Sequence, residues 1–96
     1  MALTIREIRE NCTKARESIE RARKEHYAIG AFNIDNQETL IAICKAAQKL
    51  QAPVMVELSD GEVKAMGLDN VRDLVDNYKR ESGVEMDINL DHSPSV

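Results

Sequence analysis

Residues 28–58 read AIGAFNIDNQETLIAICKAAQKLQAPVMVEL, and this stretch decides the fold. It opens on a short apolar run, residues 28–32, that reads as a buried strand. A glycine inside such a run signals another group close to the backbone, and Gly30 carries that expectation. Asp35 and Glu38 have the spacing of a capping box, with Asp as the cap. Leu40, Ile41, Ile43, Cys44, Ala47 and Leu50 then recur as the apolar stripe of a helix. Gln51-Ala52-Pro53 breaks that helix, because the residue before a proline is pushed out of the helical region. Residues 54–58 are β-branched and mostly apolar, a second strand. Strand, helix and strand in this order imply parallel strands joined by a right-handed crossover.

The pattern continues in both directions. Ser59-Asp60-Gly61 turns the chain, and residues 62–66 have room for a short helical turn. Asp69 is the expected cap of a further helix with Val71, Leu74, Val75 and Tyr78 as its stripe, and Gly83 is its expected stop. Residues 86–90 are a third strand, running into Asp91-His92-Ser93-Pro94. Toward the amino end, Thr4 and Glu7 form another capping-box spacing. Ile5, Ile8, Cys12, Ala15, Ile19 and Ala22 follow on one face of an amphipathic helix that ends near His26. The sum is an α/β chain with an N-terminal helix, three parallel strands and two intervening helices. A barrel and a doubly wound sheet both satisfy this order. Three parallel strands in an open sheet leave both edges unpaired.

Composition narrows the function. Of 96 residues, 43% are hydrophobic and 3% aromatic, so a folded but small aliphatic core is expected. The net charge of −4, with basic residues interspersed among acidic ones, argues against a nucleic-acid surface and against an anionic membrane surface. Met1 to Glu10 is charged early and lacks the apolar run of a secretory signal. No stretch reaches the length of a membrane span. Cys12 and Cys44 lack metal-ligand spacing and read as reduced thiols of a cytoplasmic protein.

Polar residues follow each expected strand: Asn33 and Asp35, then Ser59 and Asp60, then Asp91, His92 and Ser93. Parallel α/β folds bind ligands at the carboxyl ends of their strands, so these positions can share one site. Each also has a plainer role, as turn residue or helix cap, and for Asp35 capping is the favoured one. His92 is suited to ligate a divalent metal, and Asp91 to move a proton. Catalytic zinc commonly takes three protein ligands. This chain has two histidines, and His26 falls at the opposite end of the strands. Histidines of one copy therefore cannot complete a zinc site. No Walker loop, dinucleotide fingerprint or nucleophile elbow is present.

Residues 27–36 (YAIGAFNIDN), residues 52–59 (APVMVELS) and Asn89-Leu90-Asp91-His92 together resemble the opening of class II fructose- and tagatose-bisphosphate aldolases. The order and spacing match over roughly residues 4–96. The resemblance implies a (β/α)₈ TIM barrel, of which residues 1–96 are the N-terminal portion. It implies a zinc or similar divalent ion, a phosphorylated sugar substrate and a homo-oligomer at full length. It assigns His92 as one metal ligand and Asp91 as the residue exchanging a proton with the substrate hydroxyl. Asn33 and Ser59 fall in its substrate site. Two departures are visible: Asn89 stands where the family usually has His, and Ser93-Pro94 follows where Gly is common. The alternative function is a non-catalytic module that completes an α/β barrel with a partner chain.

Overall fold

The computed structural model describes residues 4–92 and Pro94. The chain forms α1 (Ile5–Glu25), β1 (Gly30–Asn33), α2 (Gln37–Leu50), β2 (Val54–Leu58), α3 (Asp60–Met66), α4 (Leu68–Ser82) and β3 (Met86–Leu90). The strands make one parallel sheet in the order β1-β2-β3. Phe32 pairs with Val56, which pairs with Ile88, so the register is continuous across the sheet. The fold class expected above is therefore present, with α3 as a full short helix between β2 and α4.

Alternation sorts the strand residues by face. Val54, Val56 and Leu58 of β2 and Met86 of β3 join Leu40, Cys44 and Ala47 of α2 and Val71 and Val75 of α4 in one buried aliphatic cluster. That face carries the helices. The in-register residues Asn33, Glu57 and Asn89 lie on the other face, with Ala31, Met55 and Asp87 in the row before them. The Asn89 amide Nδ2 donates to Glu57 Oε1 at 3.3 Å. The interior of a barrel is usually filled by branched apolar side chains; here the equivalent face is largely polar.

Several local expectations are corrected. Asn36, one residue after Asp35, caps α2, accepting from the Thr39 N–H at 2.8 Å. Asp35 supports the same turn by accepting from the Thr39 hydroxyl at 2.7 Å. Asp69 does not cap the next helix: α4 begins at Leu68, with Gly67 as both C-cap of α3 and N-cap of α4. Gly67 has φ 85°, and a Cβ there would meet Asn70 Nδ2 at 2.9 Å, so the abutting of two helices selects glycine. Asp69 instead pairs with Arg72 at 3.3 Å. Gly83 does stop α4, in the left-handed conformation with φ 74°. The group that crowds Gly30 is the Phe32 ring, 2.7 Å from where a Cβ would stand.

The apolar stripe of α1 is the larger correction. Ala22 is buried, but Ile5 is 71% exposed and Ile8 and Ile19 are half exposed. Cys12 is exposed and free, while Cys44 is free and buried. The helix itself forms as read, its capping box intact and His26 closing it in the left-handed conformation. It is tied to the start of β3 by polar contacts. Arg21 Nη1 reaches both Glu85 oxygens at 2.9 and 3.0 Å, and the Ser18 hydroxyl donates to the same carboxylate at 3.4 Å. Ile8, Cys12 and Ala15 face Leu68, Val75 and Ile88 across a cleft of about 420 Å³. Leu50, expected inside, is 75% exposed at the end of α2.

Asp87 gives a pH-dependent stability prediction. Burial pushes its carboxyl above the ordinary aspartate value of 3.8, Glu85 adds to the rise, and Lys79 opposes it. A raised acid is protonated more readily in the folded state. Stability therefore falls as pH rises through the unfolded value toward the folded one. Asp87→Asn is expected to raise Tm at pH 7, by less than the ~4–8 °C that about 1 kcal/mol gives a domain of this size, because solvent screens the half-buried group. The difference should close as pH falls to the ordinary aspartate value. Thermal melts of both proteins at the two pH values check this, and equal Tm at pH 7 would refute it.

Candidate active site

Because the strands are parallel, their carboxyl ends share one rim, and a polar residue stands at each end. Asn33 is the last residue of β1, Ser59 follows β2, and Asp91 follows β3. The sheet ladder runs one residue past the strands. Ile34 N–H donates to the Glu57 carbonyl at 3.0 Å, and Asp91 N–H donates to the Leu58 carbonyl at 2.9 Å. Leu58 pairs with Leu90, so continuing the register sets Ser59 beside Asp91. Asn33 pairs with Glu57 and sits lower on the same face. Asn33, Ser59 and Asp91 thus fall on the same rim, with His92 next in the chain after Asp91.

Ser59 is the N-cap of α3 in an extended conformation, half-buried where β2 passes into the helix. Its backbone N–H donates to Glu62 Oε2 at 2.5 Å. The same oxygen accepts from Asn33 Nδ2 at 3.3 Å. The Ser59 N–H holds the Glu62 carboxyl below the usual carboxylate range, and the Asn33 amide adds to the effect. Glu62 was not among the residues read as functional. The spacing Ser59-x-x-Glu62 is the signal that finds its cap, but its reach to Asn33 has no sequence signature.

Asp91 and His92 form the turn after β3. His92 has φ 53°, and its Nε2 lies 3.5 Å from Asp91 Oδ2. The His92 side chain is 86% exposed and that of Asp91 36%. One accessible imidazole fits one position of a divalent-metal site and does not complete it. Among the described residues, no three His, Cys, Asp or Glu side chains come together in a way that could hold a metal ion. His26 lies before β1, at the other end of the sheet, and offers no second ligand. Ser93 lies outside the described residues.

A recess of about 790 Å³ lies at the opposite, amino-terminal end of the strands, lined by Tyr27, Ala52, Pro53, Gly83 and Glu85 among others. Parallel α/β folds place their chemistry at the carboxyl ends. The rim of Asn33, Ser59, Asp91 and His92 is therefore the better candidate.

Residues 13–96 match the model of the family described as class II fructose-bisphosphate aldolase. The chain belongs to that family. Its curated relatives include a sulfofructosephosphate aldolase from Alkalicoccus urumqiensis, 34% identical over 74 residues, covering 77% of this chain and 26% of the relative. A fructose-bisphosphate aldolase from Thermus caldophilus is 38% identical over 79 residues, again covering 26% of its length. The YdjI aldolase from Escherichia coli K12 superposes with a TM-score of 0.74 at 26% identity, over 85% of this chain and 32% of that one. The chain thus spans about a quarter of its curated class II relatives and about a third of an aldolase of TIM-barrel fold. Its sheet matches only part of such a barrel, whose full set is eight strands.

Proposed function

We propose that residues 1–96 are the N-terminal part of a zinc-dependent ketose-bisphosphate aldolase, which cleaves a ketose bisphosphate reversibly to dihydroxyacetone phosphate and an aldehyde. The observation that carries this reading is the placement of Asp91 and His92 at the carboxyl end of β3, in register beside Ser59. The relatives' names support a phosphorylated ketose as the substrate class. In this reading Asp91 exchanges a proton with the hydroxyl next to the cleaved bond, and its backbone tie to Leu58 holds it at the rim. Asn33 and Ser59 hydrogen-bond the substrate. His92 gives one ligand to a divalent ion, which as a Lewis acid polarises a carbonyl, and the other ligands come from outside these residues.

The test begins with the intact mass of the native polypeptide that carries residues 1–96, followed by its cleavage of fructose bisphosphate. Chelation is expected to abolish cleavage and zinc to restore it, while residues 1–96 alone show none. A native mass of 10.8 kDa, that of these residues, without cleavage would overturn the enzymatic reading. The outer edges of β1 and β3, unpaired among the described residues, would then favour the alternative, a module completed by a partner chain.

A further inference from the structure

We propose that Glu62 is a positioning residue that locks the Asn33 side chain of β1 to the Ser59 backbone of β2, so that the two groups are presented together. The part of this that concerns substrate rests on the function proposed above; the lock itself does not.

The plainer role of Glu62 is that of a helix cap. A glutamate three residues after an N-cap serine commonly reaches back to the serine N–H. That role accounts for the contact to Ser59 and needs nothing from β1. Asn33 is 29 residues away in the chain, on an edge strand, with its side chain exposed. Yet the Glu62 oxygen that receives the Ser59 N–H also receives Asn33 Nδ2. One carboxylate oxygen therefore joins the ends of two adjacent strands, at the level where the ladder between them ends.

The chemistry of the pair fixes the orientation of the amide. An ionised carboxylate only accepts hydrogen bonds, so the Nδ2 edge of Asn33 must face Glu62. The carbonyl Oδ1 is then turned away from Glu62. Asn33 is thereby set to accept a hydrogen bond from a ligand hydroxyl. Without Glu62 the amide would be free to rotate and to present either edge. The low-lying Glu62 carboxyl, held so chiefly by the Ser59 N–H, keeps it an acceptor at neutral pH.

The experiment is heteronuclear NMR on the isotope-labelled chain, without sugar phosphate or metal. In Glu62→Ala, the Asn33 side-chain amide and the Ser59 backbone amide are both expected to shift, while the Val56 and Ile88 amides stay in place. Glu62→Gln, whose carbonyl oxygen can accept from both donors, should leave both near their original positions. A second measurement uses the unsubstituted chain. On acid titration the Asn33 side-chain amide should move with the Glu62 carboxyl carbon. A Ser59 shift in Glu62→Ala with Asn33 unmoved would reduce Glu62 to a helix cap and overturn the proposal. So would an Asn33 amide that ignores the Glu62 titration. Neither readout depends on catalysis, so a failed aldolase reading and a failed lock remain distinguishable.

Discussion

Asp91→Asn is expected to lower kcat for a ketose bisphosphate by about 10²–10⁴-fold in the polypeptide that carries these residues, the usual worth of a positioned proton-transfer group. The substitution keeps the size of the side chain and removes its ability to take up a proton. It should not move the turn, because Asp91 is held through its backbone N–H on the Leu58 carbonyl, which does not involve the side chain. Its contact with His92 is long, at 3.5 Å, so the imidazole is not anchored by the carboxylate and should stay accessible. The expected signature is thus a fall in kcat with KM and bound metal nearly unchanged. His92→Ala should do the reverse to metal content and strip it. If Asp91→Asn retained full kcat, the proton-transfer role would be wrong even in a chain that proved to be an aldolase. If it lost metal as well, Asp91 would be acting as a ligand.

Much of the fold was readable because its signals are local. The strands β2 and β3, the Pro53 break and the Gly83 stop depend on runs of a few residues and were placed correctly. The misplaced caps show where local signals compete. Asp35 precedes Glu38 and Asn36 precedes Thr39 at the same spacing, and both residues are good caps. Asn36 takes the cap, its backbone extended where the helix begins, and the Thr39 hydroxyl contacts both Asp35 and Asn36. At Gly67 the spacing could not show that two helices abut, which moves the start of α4 ahead of Asp69.

Faces were harder to read than elements. Periodicity tells which side chains share a face of α1, but not what covers that face, and so Ile5 and Ile19 read as core and stand exposed. The same holds for Leu50 on α2. The positions of the candidate residues at the strand ends were readable, since Asn33 closes β1 and Ser59 and Asp91 directly follow β2 and β3, and the resemblance implied roles for them. Their cross-links were not. Asn33 to Glu62, and Asn89 to Glu57, join residues far apart in the chain. Strand register brings Asn89 to Glu57, and register together with the passage of β2 into α3 brings Asn33 to Glu62; register is a property of the sheet that no single segment carries.

Leu58→Ala should have a large effect on stability, because Leu58 is fully buried in the aliphatic cluster between β2 and the helices. Large-to-small core changes of this kind cost about 2–5 kcal/mol, the lost transfer free energy plus the cavity left behind. At about 0.05–0.15 kcal/mol per residue, a 96-residue chain has roughly 5–14 kcal/mol in total. Its core contains few aromatic side chains that could move into the gap. The substitution therefore removes a large fraction of the whole, and the urea midpoint should fall by on the order of 1–3 M with the slope unchanged. Leu50→Ala supplies the comparison: the same chemical change on a side chain 75% exposed should stay within about 0.5 kcal/mol. Equal losses from the two would mean that the core does not lie between β2 and the helices. The effect also bears on the rim, since the Leu58 carbonyl holds the Asp91 N–H and the next residue is Ser59. Hydrogen exchange at the Asp91 amide should therefore accelerate in Leu58→Ala and not in Leu50→Ala, which connects the packing on one face of β2 to the placement of chemical groups at its end.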